Sequence, residues 1–575
     1  MTNRYLLLVN ACADARARSI AELARNGLSR IVLDTPGILL LTDRDAAIID
    51  LDGDGAIIGT LFEEGCSGCV RALRDEDRGH VAASGGQHLV DHFWGGYVAV
   101  LTRADETVVL RSPFGWLPCF HVTTDRTTAF GSDLDVIKKT GMWSPSLDPA
   151  GVARQLAASD VRRADTCLTD LSELRGGERW SRSGKVAAIW SPWTHIAENV
   201  RIDDPIDAEL ALRAVAVRCV GDLTPDDATT LLMMSGGLDS SIVAACLKAN
   251  ERNFAALTFL TDNPSSDERR YARAVADRIG TRLIEALCSS DVVELTRSDA
   301  AHLARPVARS FEQAINFVLR NAAEDIGAQT VVCGGGGDNI FCSLQSPAMA
   351  ADCLIDPAGR SFFWRVARDT AELTGASLVT VIRRAWLRSL TRRPYRRDPD
   401  LSFLSPTGAA LAAGALDHPW LRAPRGTLPG RTAHVGLLVG AQGVIEDCDP
   451  SAHLAMRSIM IAQPLVEACL RIPSWQWLAL GRNRGAARRA FEHDLPADVI
   501  WRRTKGSPDS LLVRLFERNK PLIRSLLTDG ILAQLNMLDE AMIHAAIDDP
   551  SPQKGHSFAR MMQLVDAEVW ARGWA

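Results

Sequence analysis

Short apolar runs broken by turn residues set the pattern of the first third of the chain. "GILLLT" (37–42), "AAIIDLDGDGAIIGTLF" (46–62), "WGGYVAVLTRADETVVLRSPFG" (94–115) and "KVAAIWS" (185–191) are the clearest. Asp-Gly and Asp-Glu pairs between the runs are hairpin signals, so residues 1 to about 195 predict antiparallel strands. The opening "RYLLLVNACADARA" reads as the first of these strands rather than a signal peptide, because its apolar run stops at Asn10. Beyond residue 205 helical periodicity takes over, interrupted by the apolar stretches "TTLLMMS", "FAALTFL" and "QTVVCGG". Strands separated by helices in this way predict a parallel sheet with crossover connections. Residues 345 to 460 mix helices with Pro- and Gly-rich loops and read as an elaboration that walls a substrate pocket.

Composition narrows the class without changing that picture. At 575 residues the chain exceeds one ordinary core, so two or more domains are expected. Its 47% hydrophobic and 23% charged residues are ordinary for a soluble globular protein. A net charge of −6 offers no general attraction to nucleic acid or anionic membrane. No stretch approaches the ~18 uninterrupted apolar residues of a membrane span. Thirteen cysteines at irregular spacing point to free thiols in a reducing cytoplasm.

Candidate chemistry begins at "LLMMSGGLDSSIVAACLKA", residues 231 to 249. Ser235-Gly236-Gly237 after a strand leaves backbone N–H groups open to close approach. The helix starting near Leu238 aims its positive end at the same place, so the expected ligand is an anion, most simply a phosphate. No Lys follows the glycines, which excludes the P-loop. Asp239 instead sits among the hydroxyls of Ser235, Ser240 and Ser241. A carboxylate beside phosphate requires a cation between them, which implies Mg²⁺.

The run "SGGLDSS" resembles the pyrophosphate-binding loop of the asparagine synthetase family, which includes β-lactam synthetases and lasso peptide macrolactam synthetases. In that family ATP adenylates a carboxylate, pyrophosphate leaves, and an amine displaces AMP to form an amide. Other segments resemble the family in the same order. "FAALTFL" would place Leu257 and Thr258 beside adenine. "DERRYARAVADRIGTRLIEA" follows it as a helix and strand. "VVCGGGGDNIF" (331–341) resembles the second nucleotide loop, with Gly334 and Gly335 in it and Asp338 as the second Mg²⁺ carboxylate. Four consecutive glycines are costly in backbone entropy and are read here as space for a ligand. "LPADVIWRRTKGSPDSLL" (495–512) maps the family's catalytic lysine to Lys505, a cation for the charge developing at the acyl-adenylate carbon and α-phosphate.

The resemblance therefore implies an α/β protein of two parts. Residues 1–200 would form a glutaminase-like, degenerate Ntn-hydrolase αββα domain. Residues 205–575 would form an adenine-nucleotide α-hydrolase-like PP-loop domain with a Rossmann-like parallel sheet, residues 345–460 being the pocket elaboration. Glutamine hydrolysis needs an N-terminal Cys. The chain starts Met1-Thr2-Asn3 and its earliest thiol is Cys12, so ammonia production is expected to be lost.

Gly335 sharpens the branch. Asparagine synthetases carry Glu, and β-lactam synthetases Tyr, three residues before the second Asp. "GGGGDNIF", "HPWL" (418–421), "LPGRTAH" (428–434), "QPLVEACLRIPSWQW" (463–477) and "RGAARRAFEHDLP" (484–496) resemble lasso peptide cyclases. That branch implies a leader-cleaved core peptide as substrate. Its Asp or Glu side chain is adenylated and its N-terminal amine closes a macrolactam, with a leader-binding protein and leader peptidase as partners. No nucleic acid or membrane partner is expected. Glu467 is a candidate base for the amine, with a buried structural Glu as the equal alternative; an amine near its ordinary pKa of about 8 could also arrive partly deprotonated. Two other readings stay open: an ammonia-dependent or β-lactam synthetase-like ligase acting on a small acid, and a non-catalytic peptide-holding subunit.

Two features have plainer readings. "CSGC" (66–69) has zinc-knuckle spacing but no second pair nearby. "RRAWLRSLTRRPYRR" (383–397), with seven Arg, reads first as a solvated amphipathic helix end and second as a docking surface.

Overall fold

A computed structural model describes residues 3–575 except 26, 104–105, 261–266, 393–394, 447–455, 503–508 and 550–556. Twelve strands between Tyr5 and Ala188 build two six-stranded antiparallel sheets. They are β1 (Tyr5–Val9), β2 (Arg30–Thr35), β3 (Ile38–Thr42), β4 (Ile48–Asp50), β5 (Gly55–Glu63) and β6 (Phe93–Arg103), followed by β7 (Glu106–Arg111), β8 (Phe120–Thr124), β9 (Thr127–Gly131), β10 (Ser172–Glu173), β11 (Glu178–Ser181) and β12 (Val186–Ala188). One sheet runs β10-β8-β9-β1-β3-β2, the other β12-β11-β7-β6-β5-β4.

The period-two alternation of these strands decides the layering. Tyr5, Leu7 and Val9 of β1 join Ala56 and Ile58 of β5, Val98 and Val100 of β6 and Phe130 of β9 in a core between the sheets. Their neighbours Leu6, Leu8, Ile57, Ala99 and Leu101 belong to a separate apolar cluster with residues of the flanking helices Asp75–Ala83 and Gln87–His92. Two packed sheets between helices follow from that alternation. The Asp-Gly hairpin signal between β4 and β5 is a turn with Asp52 at φ 52° and Gly53 at φ 91°.

The third sheet is parallel throughout, in the order β15-β14-β13-β16-β17, with β13 (Thr230–Met233), β14 (Phe254–Leu260), β15 (Arg282–Leu287), β16 (Thr330–Cys333) and β17 (Met456–Ser458). Leu231, Leu257 and Val331 face Val318, Leu319, Ala322 and Ala323 of the helix Glu312–Ile326. Leu232, Ala256 and Val332 belong to the cluster holding Ile242 and Val243 of the helix Leu238–Ala249. Helices thus cover both faces, which explains why these strands read as continuous apolar runs. The chain leaves β13 for β14 on one side and returns to β16 on the other. That reversal opens a crevice at the C-terminal ends of β13 and β16, where open α/β sheets bind ligands.

Residues 345 to 460 are more helical than the loop-rich texture of their sequence suggests. The helices Ala348–Ile355, Phe363–Thr374, Leu378–Thr391 and Pro429–Glu446 account for about half of the described part. No helix of the described residues is long and apolar enough to cross a membrane.

Candidate nucleotide site

Both glycine loops open into that crevice. After β13, the Met234 N–H donates to Leu257 O at 2.8 Å, and Ser235-Gly236-Gly237 carries the chain into the helix Leu238–Ala249. Gly236 has φ +69°, and a Cβ there would stand 2.6 Å from the Ala272 nitrogen and Tyr271 Cβ. The helix Arg269–Ile279 packs that tightly against the turn. The hydroxyls of Ser240 and Ser241 donate to Gly237 O at 3.2 and 2.7 Å, while the Gly237 N–H donates to Ser235 Oγ at 3.3 Å. Ser241 is fully buried and serves the turn itself; Ser235 and Ser240, 3.5 Å apart, border the helix N-terminus.

The glycines of the second loop have a different reason from the one expected of them. A Cβ at Gly334 would stand 2.5 Å from the Ser240 nitrogen, and one at Gly337 would stand 2.6 Å from the Asp239 carboxyl carbon. At Gly336, with φ +78°, it would strike Ile461 at 2.2 Å, and at Gly335 it would meet Ser458 Oγ at 2.7 Å. Packing against the first loop at Gly334 and Gly337, and against Ser458 and Ile461 at Gly335 and Gly336, therefore surrounds the run, where the sequence had suggested room for a ligand. The result is a fixed separation between Asp239 and Asp338.

Among the described residues, Arg484 joins these carboxylates. Arg484 Nη1 lies 3.0 and 2.9 Å from the two Asp239 oxygens and 2.5 Å from Asp338 Oδ1. Asp239 is nearly buried and Asp338 half-exposed. Burial works against the charge of Arg484, but Asp239 and then Asp338 outweigh it and raise its pKa. Arg488, one turn on, is lowered to about 10 by burial and then by repulsion from Arg484. Two carboxylates within ion-pairing distance of one cation form a hard, oxygen-only donor set. They fit Mg²⁺, with phosphate and water oxygens left to complete the shell.

The remaining expected residues fall as follows. Thr258 is buried on β14, and the Leu257 side chain lies in the apolar cluster beneath the sheet. What Leu257 presents toward the crevice end is backbone. Lys505 lies outside the described residues. Arg502, the last residue described before it, stacks on Tyr271 at 3.8 Å from the ring centroid, pairs with Glu268 at 2.7 Å and reaches Gly236 O at 3.5 Å. Asn339 Nδ2 donates to Leu437 O at 2.7 Å, so the helix Pro429–Glu446 stands against the second loop.

Glu467 sits elsewhere, on the helix Gln463–Arg471 where it meets the N-terminal sheets. Its Oε1 accepts from Trp190 Nε1 at 2.8 Å and Gln463 Nε2 at 2.9 Å, with His195 Nδ1 at 3.8 Å. Burial raises its pKa to about 7, and burial lowers His195 to about 4. Arg484, Arg502 and Glu268 are residues that reading the chain alone did not single out. Nothing in the local pattern separates Arg484 from Arg482, Arg488 and Arg489 beside it. Cys66 and Cys69 are exposed, and among the described residues no group of three or more His, Cys, Asp or Glu could hold a metal ion.

Comparison with known proteins shows the family. The family model "Asparagine synthase" matches residues 211–572. Curated relatives from Mycobacterium bovis and Mycobacterium tuberculosis, each named "putative asparagine synthetase (glutamine-hydrolyzing)", are 24% identical over 510 residues, covering 82% of this chain and 74% of theirs. Among solved structures, the Bacillus subtilis glutamine phosphoribosylpyrophosphate amidotransferase complexed with ADP and GMP shares 10% identity over 57% of this chain and 90% of its own, with a TM-score of 0.22. A structure described as the allosteric regulatory enzyme of purine biosynthesis shares 12% identity over 57% of this chain and 80% of its own, with a TM-score of 0.21. The match to most of the region holding both loops and Arg484 is the finding that counts: the chain belongs to the asparagine synthase family of ATP-dependent amide-forming ligases.

Proposed function

We propose that this chain is a lasso peptide cyclase, using ATP and Mg²⁺ to join the N-terminal amine of a leader-cleaved core peptide to one of its own Asp or Glu side chains. The observation that carries the reading is Gly335. A side chain there would have to displace the Ser458 hydroxyl, 2.7 Å from the position its Cβ would take, and would also press on Cys333 Sγ at 3.2 Å. The position therefore disfavours the Glu and Tyr that mark the asparagine synthetase and β-lactam synthetase branches. Cys12 follows β1 and caps the helix Ala13–Ala24, so it does not stand at the head of the first strand as a glutaminase nucleophile would.

In this reading Asp239 and Asp338 hold Mg²⁺, which neutralises triphosphate charge and polarises the α-phosphoryl group when bound. Arg484 then turns from the carboxylates to phosphate oxygens. Ser235, Ser240 and the Gly237 turn orient the pyrophosphate end, and Leu257 and Thr258 flank the adenine through β14. The substrate carboxylate oxygen attacks the α-phosphorus and pyrophosphate leaves. The amine next attacks the acyl carbon, AMP leaves, and a proton passes from the amine to solvent. Lys505 is the cation assigned to the acyl transfer. Glu467 is assigned a structural role at the junction of the sheets with the synthetase half, because its bonds to Trp190 and Gln463 tie it there. Holding a peptide with its amine against its own acyl group is the main barrier, and orientation of that kind can recover ~7–11 kcal/mol. A reducing cytoplasm suits the described cysteines, all of them free. The leader-binding protein and leader peptidase belong to the same proposal.

The test is ATP–pyrophosphate exchange with and without linear core peptides, followed by mass analysis. Peptide-dependent exchange, release of AMP and a product one water lighter are expected. The similarity to the mycobacterial proteins supports a second reading, an ammonia-dependent ligase on a small acid. Exchange driven by free aspartate and ammonia would establish that instead, and peptide binding with no exchange would leave only a holding subunit.

A further inference from the structure

The helix Leu378–Thr391 buries Val381 and Ala385 against the molecule. Its outer face carries Val379, Trp386, Leu387 and Leu390, which are 75%, 56%, 46% and 63% exposed. Helical spacing gathers Trp386, Leu387 and Leu390 into one patch about 6 Å long, with exposed Arg383 between it and Val379 two turns back. The preceding helix Phe363–Thr374, joined by a short turn, carries a further exposed Trp364. A solvated helix end would put charged tips outward without large apolar side chains beside them. Exposed apolar residues on a soluble protein are normally scattered singly, and a contiguous run of this kind marks an interaction face.

The charge around the patch says what fits it. Arg383, Arg384 and Arg392 are exposed along the helix, and no acidic residue lies between Glu372 and Asp398. This is a basic island on a chain of net charge −6. Every cation of the stretch is Arg and none is Lys. Arg pairs carboxylates in a planar, two-pronged geometry and is enriched with Trp in protein interfaces, whereas a lipid surface is served as well by Lys. Val and Leu side by side with Trp give a nucleic acid little to bind. We propose that this helix face docks a protein partner whose apolar ridge is flanked by carboxylates. The proposal does not depend on which amide the enzyme makes.

The test uses the full chain and a labelled helical peptide with Leu along one face and Glu beside it, followed by fluorescence anisotropy. Saturable binding that weakens with rising salt is expected. Leu387→Glu combined with Leu390→Glu should weaken it by about tenfold or more. Arg383→Glu with Arg384→Glu should weaken it several-fold. Equal binding of the same peptide with Lys in place of Glu, or no binding, overturns the proposal. So does co-sedimentation with phosphatidylserine vesicles lost in the Leu variant, or self-association lost in that variant, which would make the face a membrane or homodimer surface.

Discussion

A methyl group added at Gly337 would meet the Asp239 carboxyl carbon at 2.6 Å, so the smallest possible substitution reaches the centre of the site. Gly337→Ala is expected to destabilise the fold by about 1–3 kcal/mol. It should also reduce ATP–pyrophosphate exchange far more than that loss of fold explains, and denaturation set beside exchange rates checks both. Arg484 permits a sharper measurement. Replacing it by Gln removes the guanidinium that bridges Asp239 and Asp338, at a cost of the order of 2 kcal/mol. Mg²⁺ should restore the lost melting temperature in Arg484→Gln while changing the wild type little. Equal magnesium responses in both would count against the carboxylate pair as the cation site. Glu467 gives a pH signature. In the unfolded chain it ionises near 4.5, but burial raises it to about 7 in the fold. Below the lower value both states hold the proton. Between the two values the unfolded chain has released the proton that the fold still holds, so stability falls as pH rises, by of the order of 3 kcal/mol in all, and levels off once the folded carboxyl ionises above the higher value. His195, His418 and His434, lowered by burial to about 4, 3 and 4, act in the opposite sense and lose stability as pH falls. The difference between Glu467→Gln and wild type isolates the carboxyl. It should widen in favour of Gln from pH 5 to 8, and a constant gap would contradict this account.

Among elements, the adjacency of β13 and β16 is what makes two distant motifs one site. Each motif was legible in the chain because an apolar strand, a glycine turn and a helix succeed one another there. Their meeting was foreseeable from the parallel pattern, though the order of the strands was not. The helix Pro429–Glu446 was not foreseen as a support. It holds the second loop through the Asn339 side chain, 2.7 Å from Leu437 O, and through His434, whose Nε2 lies 2.8 Å from Ile340 O. Asn339→Ala should lower stability by only about 1 kcal/mol. The same change should depress exchange more strongly by releasing Asp338, which urea titration and exchange assays on one preparation would show.

At the scale of the molecule, the junction between its halves is a buried carboxylate. Glu173 on β10 accepts hydrogen bonds from Arg111 at 2.9 Å, Arg162 at 3.0 Å and Arg305 at 2.6 Å. Arg305 comes from the synthetase half, beyond β15, and its other nitrogen donates to Arg163 O and Asp165 O at 2.8 Å. Burial opposes the charge on Glu173, but Arg162, then Arg305 and Arg111, hold it ionised. Glu173→Gln removes the charge that three guanidinium groups share and should cost about 3–5 kcal/mol. Adding Arg305→Met should recover part of that loss. A double-mutant cycle on thermal unfolding measures the coupling, and strict additivity would show that the two halves do not depend on this contact.

Alternation and periodicity along the chain already marked the strand-rich first third, the parallel-sheet strands and the two loops bearing Asp239 and Asp338, while the layering of the N-terminal part came with the family resemblance. Each feature so marked is a local relation between neighbouring residues, and burial imprints it directly on the order of apolar and polar positions. Tertiary structure alone decided that Arg484 stands between the two carboxylates, that Glu467 belongs to the junction of the halves, and that the helix Leu378–Thr391 turns Trp and Leu outward. A charge or an apolar side chain reads the same in sequence whichever surface it meets. Its partner is chosen by strand order and loop packing, which bring together residues hundreds of positions apart.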